Sequence, residues 1–496
     1  MNRRQQLGAS GAVGRRGDGA RVSGRAWSAV AWLCAASITV LSQASGCAYS
    51  AQKQVTGWWM VETDNIQLRS PIRRSTAVWF AGEMQRSYDA LARYALPCAA
   101  NREHDRVKVT ILSAFEFHRL AGAGAGGFYQ RAGVTWFKDR DGELLLPDSL
   151  GVTARQTFQH ELTHRLVFAC FPSAPTWLNE GLAAFFETIQ VDAGTVTLGR
   201  PPFAVSSAGI SPRRTVIDGQ PVWIMPVSSL PSVGTIVATR GGLIVHNQTT
   251  TLAAYAMAWG LVHFFELGAP DLSARFEAYL AAIQQPGRDP VVLFATTFEN
   301  VPLQTRIIEY LRRGQFDHLQ SAPSAIAARV VTPQVRELSE DDANLHLALL
   351  YAMVRTDHTR AQLAEHLALA KQNPRTRQTA YLVSAFALLR DKDFAGAERE
   401  LQEILRSSPD NAAFLEAHLD VLLARKAPVP ELQVAAERLR PVAATAGQFC
   451  SLAEAALRAG DRKAASELAS RGLELDPRLV VCRSELAAPL APPHQP

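Results

Sequence analysis

One pair of short segments constrains this chain more than anything else in it: His160-Glu161-Leu162-Thr163-His164, then Trp177-Leu178-Asn179-Glu180-Gly181-Leu182-Ala183. On a helix, residues four apart share a face, so His160 and His164 can both reach one metal ion. Glu161 projects beside them, where it can hold and deprotonate a water at that metal. A catalytic zinc takes three protein ligands and keeps one position open. Glu180, an acid at the start of the next helix, is the candidate third ligand. The plain alternative is a surface helix with two solvated histidines. Against it, Phe158, Leu162, Leu166, Val167 and Phe168 surround the motif, so the histidines face an interior or a cleft.

The two segments together resemble the gluzincin metallopeptidases and are most similar to bacterial peptidase-MA-like proteins, whose catalytic domain is often followed by tetratricopeptide (TPR) repeats. The motifs cover about 30 residues, and weaker similarity spans residues 55–315. By position, the resemblance implies His160, His164 and Glu180 as zinc ligands and Glu161 as general base. No Gly-x-Met-Glu-Asn segment precedes the motif, so the resemblance does not extend to aminopeptidase specificity. It also implies an edge strand before the zinc helix that pairs with extended substrate, with Phe128 and Tyr129 as candidate cleft residues. A downstream Tyr or His would hydrogen-bond the oxyanion. Tyr255 is the candidate, with His263 behind it; the alternative for both is core packing. Glu187, two turns after Glu180, either orients a ligand histidine through its second ring nitrogen or is a solvated helix-end acid.

Periodicity supplies the rest of the first domain. Trp58 to Leu68 reads as a strand, Arg74 to Leu96 as an amphipathic helix, Val107 to Leu112 as a strand and Phe115 to Leu120 as a short helix. Strands are expected near Val134–Phe137 and Glu143–Leu146. The zinc helix is expected from Val152 to Cys170. Thr176 is the expected N-cap of the helix carrying Glu180, whose packing face is Leu178, Leu182, Phe185, Phe186 and Ile189. The run Ala121-Gly122-Ala123-Gly124-Ala125-Gly126-Gly127 follows a helix and lacks the Lys or acidic partner of a phosphate loop, so it reads as a flexible loop. Residues 191–248 read as strands and loops over a cleft. Helices follow at Thr251–Leu267, Leu272–Ile283 and Leu303–Arg312.

The formal charge of +5 argues little about partners. Residues 1–46 hold six arginines, one aspartate and no lysine. Removing them from totals of 51 basic and 46 acidic residues leaves 45 of each. The remainder is neutral, which gives no footprint for nucleic acid. The same 46 residues read as a signal peptide: arginines, an apolar run from Ala26 to Leu41, then small residues. The run is too short for a comfortable membrane span. Ala44-Ser45-Gly46-Cys47 is similar to a bacterial lipobox. Either Cys47 is lipidated, with residues 47–54 as a linker, or ordinary cleavage releases a soluble chain. Membrane contact is expected only through the signal or such an anchor. Export permits disulfides, and by domain the simplest pairs are Cys98–Cys170 and Cys450–Cys482, although four cysteines allow three connectivities.

Beyond an expected linker at 316–338, the chain reads as helical. Asp393-Phe394-Ala395-Gly396-Ala397 aligns with Asp461-Arg462-Lys463-Ala464-Ala465, and Pro409 with Pro477, each 68 residues apart. That is twice the 34-residue TPR period. Residues 339–486 therefore read as TPR-like repeats that either bind a protein or brace the catalytic domain, with a disordered tail at 487–496. The expected architecture is an α+β zincin-like catalytic domain, a small sheet plus a helical lobe over 55–315, followed by an all-α TPR-like solenoid. The expected function is a Zn2+-dependent peptidase of the bacterial cell envelope or periplasm, acting on a peptide or protein substrate. The alternative is an envelope scaffold in which the repeats act and the zincin-like domain is not catalytic.

Overall fold

The structure is a computed structural model. It describes residues 57–476 apart from 97, 99–105, 122–126, 131–142, 149–151, 172, 193–194, 207–211, 218, 244–247, 286–287, 322–330 and 355–358. The leader, Cys47, Cys482, the tail, most of the glycine run and the strand expected near Val134–Phe137 lie outside the described residues.

The chain opens with strands β1 (Trp58–Glu62) and β2 (Ile66–Ser70), then helix α1 (Arg74–Ala90). The single strand expected at 58–68 is thus a hairpin. Asp64 and Asn65 supply the turn, and Thr63 N–H donates to Ile66 O at 2.9 Å. The turn is also tied to α1, because Gln85 Oε1 accepts from Thr63 Oγ1 at 2.7 Å. Next come β3 (Val107–Leu112), α2 (Ala114–Ala121), β4 (Phe128–Gln130) and β5 (Glu143–Pro147). One further strand, β12 (Gln334–Leu338), completes a six-stranded sheet in the order β12-β1-β2-β3-β5-β4. β2, β3 and β5 run parallel; β4 lies antiparallel at one edge and β12 antiparallel at the other.

Alternation along these strands sends side chains to two separate cores. Val107, Val109, Ile111, Leu144 and Leu146 join the core under α1 and the long helix α3 (Val152–Cys170). Leu112 and Leu145 join a second core with Phe117 and Leu120 of α2 and the C-terminal helices. All of β5 is buried, as befits a strand covered on both faces. α3 leads to α4 (Thr176–Phe186), five short strands, β6 (Gln190–Asp192), β7 (Thr195–Leu198), β8 (Phe203–Ser206), β9 (Arg213–Ile217) and β10 (Gln220–Pro226), then α5 (Val233–Ala238) and α6 (Gln248–His263), with α7 (Ser273–Ile283), α8 (Pro290–Thr297) and α9 (Leu303–Arg312) closing a helical lobe around Trp177, Trp259 and Tyr279. Thr176 does not cap α4. Pro175 holds that position, and Thr176 Oγ1 instead donates to Gly241 O at 2.6 Å. Cys98–Cys170 is a disulfide, joining the end of α3 to the segment after α1. Cys450 is disulfide-bonded as well.

The stretch expected as a linker at 316–338 contributes structure to both sides of it. Leu319–Gln320 pairs with Thr195–Leu198, and β12 extends the main sheet. β12 runs straight into α10 (Glu340–Val354), the first of eight helices: α11 (Arg360–Gln372), α12 (Pro374–Arg390), α13 (Phe394–Ser407), α14 (Ala412–Ala424), α15 (Val429–Leu439), α16 (Ala446–Arg458) and α17 (Arg462–Leu475). Neighbours in sequence pack against each other. Their turns keep a strict period: the left-handed residues are Lys392, Lys426 and Gly460, each 34 after the last. Asp393 and Asp461, which carried the sequence alignment, are both N-caps, of α13 and α17. The architecture is thus mostly helical, a small-sheet domain joined to a helical array of solenoid type. Among the described residues no single helix is long and apolar enough to cross a membrane.

Candidate metal centre

The metal candidates sit on α3 and α4 because those helices are held face to face by their apolar stripes. Phe158, Leu162, Leu166 and Val167 of α3 are buried, as are Leu178, Leu182, Phe185 and Phe186 of α4. His160, His164 and Glu180 are left at the helix–helix seam, each only partly exposed. His160 Nε2 and His164 Nε2 both stand 3.4 Å from Glu180 Oε2. Tetrahedral zinc with bonds of 2.0–2.1 Å spaces its ligands about 3.4 Å apart. The three donors form a cluster able to hold a metal ion.

Two further observations test that fit. Glu180 Oε2 is buried and has no hydrogen-bond partner among the described residues. The centre also carries an excess of negative charge, with Glu161, Glu180 and Glu187 around two imidazoles. Burial would depress the His160 pKa, but Glu180, Glu187 and Glu161 prevail and raise it well above the usual histidine range. Burial alone would raise Glu180, and the two histidines instead hold it low. A divalent cation would satisfy both the orphan oxygen and the charge. The donor set of two imidazoles and one carboxylate suits zinc.

Glu187 is the carboxylate that orients His160. Its Oε2 lies 2.7 Å from His160 Nδ1. With a metal held there, that contact would keep the ring proton on Nδ1 and the Nε2 lone pair aimed at the centre. His164 has no such support; its Nδ1 is buried without a partner among the described residues.

Tyr255, on α6, reaches the same place. Its ring lies 6.2 Å from that of His160, and its hydroxyl is near enough to Glu180 and Glu161 to feel both charges. Burial and the charges of Glu180 and Glu161 push its pKa up, so the phenol keeps its proton. α6 gets this close because residue 181 is glycine. A Cβ there would stand 2.5 Å from Ala258 O and 2.8 Å from Val262 Cγ2. Gly127 does the same for the edge strand: a Cβ on it would overlap the Thr157 methyl of α3 and meet Leu146. β4 therefore runs beside the metal helix. The Phe128 and Tyr129 side chains lie outside the described residues. In the sequence Gly127 reads only as part of a flexible run, and Gly181, directly after Glu180, carries no signal of this close approach.

His263 does not join the centre. It is fully buried, with Nδ1 2.7 Å from Tyr310 Oη and Nε2 3.0 Å from Gly199 O and 3.1 Å from Asp317 O. Two carbonyls at Nε2 require the proton there, so Tyr310 O–H donates to Nδ1. Burial lowers its pKa to about 4, and this neutral ring ties α6 to the segments that flank it.

The fold and site together define a mixed sheet beside two helices that bring His160, His164 and Glu180 into a cluster able to hold a metal ion. Residues 154–291 match a domain family described as "Protein of unknown function (DUF1570)". That match contains all three donors, Glu161, Glu187 and Tyr255. No curated protein matches the chain.

Proposed function

We propose that this chain is a zinc-dependent peptidase of the gluzincin kind, exported to the cell envelope, with TPR-like repeats at its C-terminus. One observation carries the reading: His160, His164 and Glu180 converge within metal-binding distance while Glu161 and Tyr255 flank the same opening. Zinc held by those three residues would supply Lewis acidity to a peptide carbonyl and to a water. Glu161 accepts a proton from the attacking water and returns it to the leaving amine nitrogen as the C–N bond breaks. The water oxygen forms the new bond to the carbonyl carbon. Tyr255, a protonated phenol near Glu180, would turn its O–H toward the carbonyl oxygen as negative charge builds there. An extended substrate would lie along β4, whose outer edge carries no strand among the described residues.

The 34-residue spacing of the turns at Lys392, Lys426 and Gly460 supports the TPR reading of the repeats. A scaffold function is the second reading. It draws on the way α10 buries the back of the sheet, mounting the repeats as one body with the first domain. That reading gives Glu161 no task. The Glu161→Gln variant separates the two. Exposed to a peptide mixture and analysed by mass spectrometry, the wild type is expected to cleave. The variant is expected to keep its metal and lose roughly 10²–10⁴-fold in rate. Equal cleavage by both, or none by folded wild type, would contradict the peptidase reading.

A further inference from the structure

A second opening lies at the far end of α3, between its first two turns, α1 and the ends of β3 and β5. Phe80, Met84, Ile111, Leu146 and Phe158 wall it, and its cavity volume is about 140 Å³. It is separate from the metal centre. Arg155 and His160 are five positions apart, which turns them about 140° from each other around the helix.

Three features of this cavity call for an occupant. Its walls are mostly apolar, and an apolar space near this size accepts a single ring or short alkyl group. Trp79 stands at its rim, 54% exposed and packed edge-on against Phe80, with an apolar ring face available to cover a bound tail. The third feature is charge. Glu83 and Arg155 both line the cavity. Glu83 is ion-paired with Arg86, whereas among the described residues Arg155 has no ion pair and its buried Nε has no hydrogen-bond partner. One guanidinium is thus left over beside an apolar chamber, which is the complement of a small anion with an apolar tail.

We infer that this cavity binds a monocarboxylate with a short alkyl or single-ring tail, the tail among Phe80, Met84 and Phe158 and the carboxylate on Arg155. Trp79 closes over the tail. Because Ala154, Arg155 and Phe158 belong to the helix that carries His160, occupancy bears on the placement of that helix.

The test titrates the full chain with hexanoate and with 1-hexanol, following tryptophan fluorescence and, independently, heat by calorimetry. Hexanoate is expected to bind saturably, about tenfold more tightly than hexanol, the usual weight of one charge-assisted hydrogen bond. Arg155→Met, which keeps an apolar stem, should erase that preference. Ala154→Phe, which fills the chamber, should abolish binding of both. Trp79→Phe should remove most of the fluorescence change and leave the calorimetric signal. Should Ala154→Phe not fold, Arg155→Met still decides. Equal affinity for hexanoate and hexanol in wild type, hexanoate binding unchanged in Arg155→Met, or no saturable binding in either readout would overturn the proposal.

Discussion

His160 shows how much one side chain here depends on its neighbours. Glu187 holds its Nδ1 at 2.7 Å, and Glu180 stands 3.4 Å from its Nε2. Each contact assigns a different job to one nitrogen of the ring. Tyr255 stands beside the same ring, 6.2 Å from it, and feels the charges of Glu180 and Glu161. If it is an oxyanion donor, Tyr255→Phe should lower kcat roughly 10²-fold while KM and metal content hold. Loss of metal in that variant would make Tyr255 a support for Glu180 instead. The two histidines were legible in the sequence because a four-residue spacing is a local fact of helix geometry. Glu180 and Glu187 followed at helical intervals from each other. Tyr255 stands 75 residues beyond Glu180, and no spacing rule reaches that far. Only the resemblance pointed to it, and the packing of α6 supplies the contact.

At the scale of elements, the site is a matter of how closely α4 and α6 can cross. Gly181 sets that distance. Gly181→Ala would drive a Cβ against Ala258 O, a backbone atom that cannot swing aside. Its expected cost is about 1–3 kcal/mol, read as a lower Tm, together with reduced kcat as Tyr255 is carried away from Glu180. An unchanged Tm would show that the helices yield there. The helices themselves were readable. α3 spans Val152–Cys170, as its apolar spacing predicts, and α4 starts where Pro175 allows. Three features were not readable, each for a physical reason. The turn at Asp64 and Asn65 breaks an otherwise continuous strand pattern and is fixed by Gln85 on α1. Thr176 has the chemistry of a cap but finds Gly241 O instead. β12 is a strand only because β1 lies beside it, and its own alternation is mostly exposed and polar.

Across the whole molecule, the main sheet is the shared wall between the metal helix and the repeats. Leu144 and Leu146 face one side; Glu143 and Leu145 face the other. On that second side Glu143, only 4% exposed, accepts from Thr110 Oγ1 and stands 3.5 Å from Arg69 and 3.4 Å from His346 of α10. Burial alone would raise the Glu143 pKa. Arg69 and the hydrogen bond from Thr110 instead hold it low, while burial drops His346 to about 4 and keeps it neutral. Thr110 and His346 are 236 residues apart in sequence, so no pattern in the chain announces this contact. It makes the repeats and the first domain one packed unit. The account of that unit rests on the metal. Elemental analysis of the purified full chain, beside a His164→Ala variant, tests it most directly. One zinc per chain in the wild type, lost in the variant with the fold retained, is the predicted result. A correctly folded wild type that takes up no zinc, even when zinc is supplied, would contradict it.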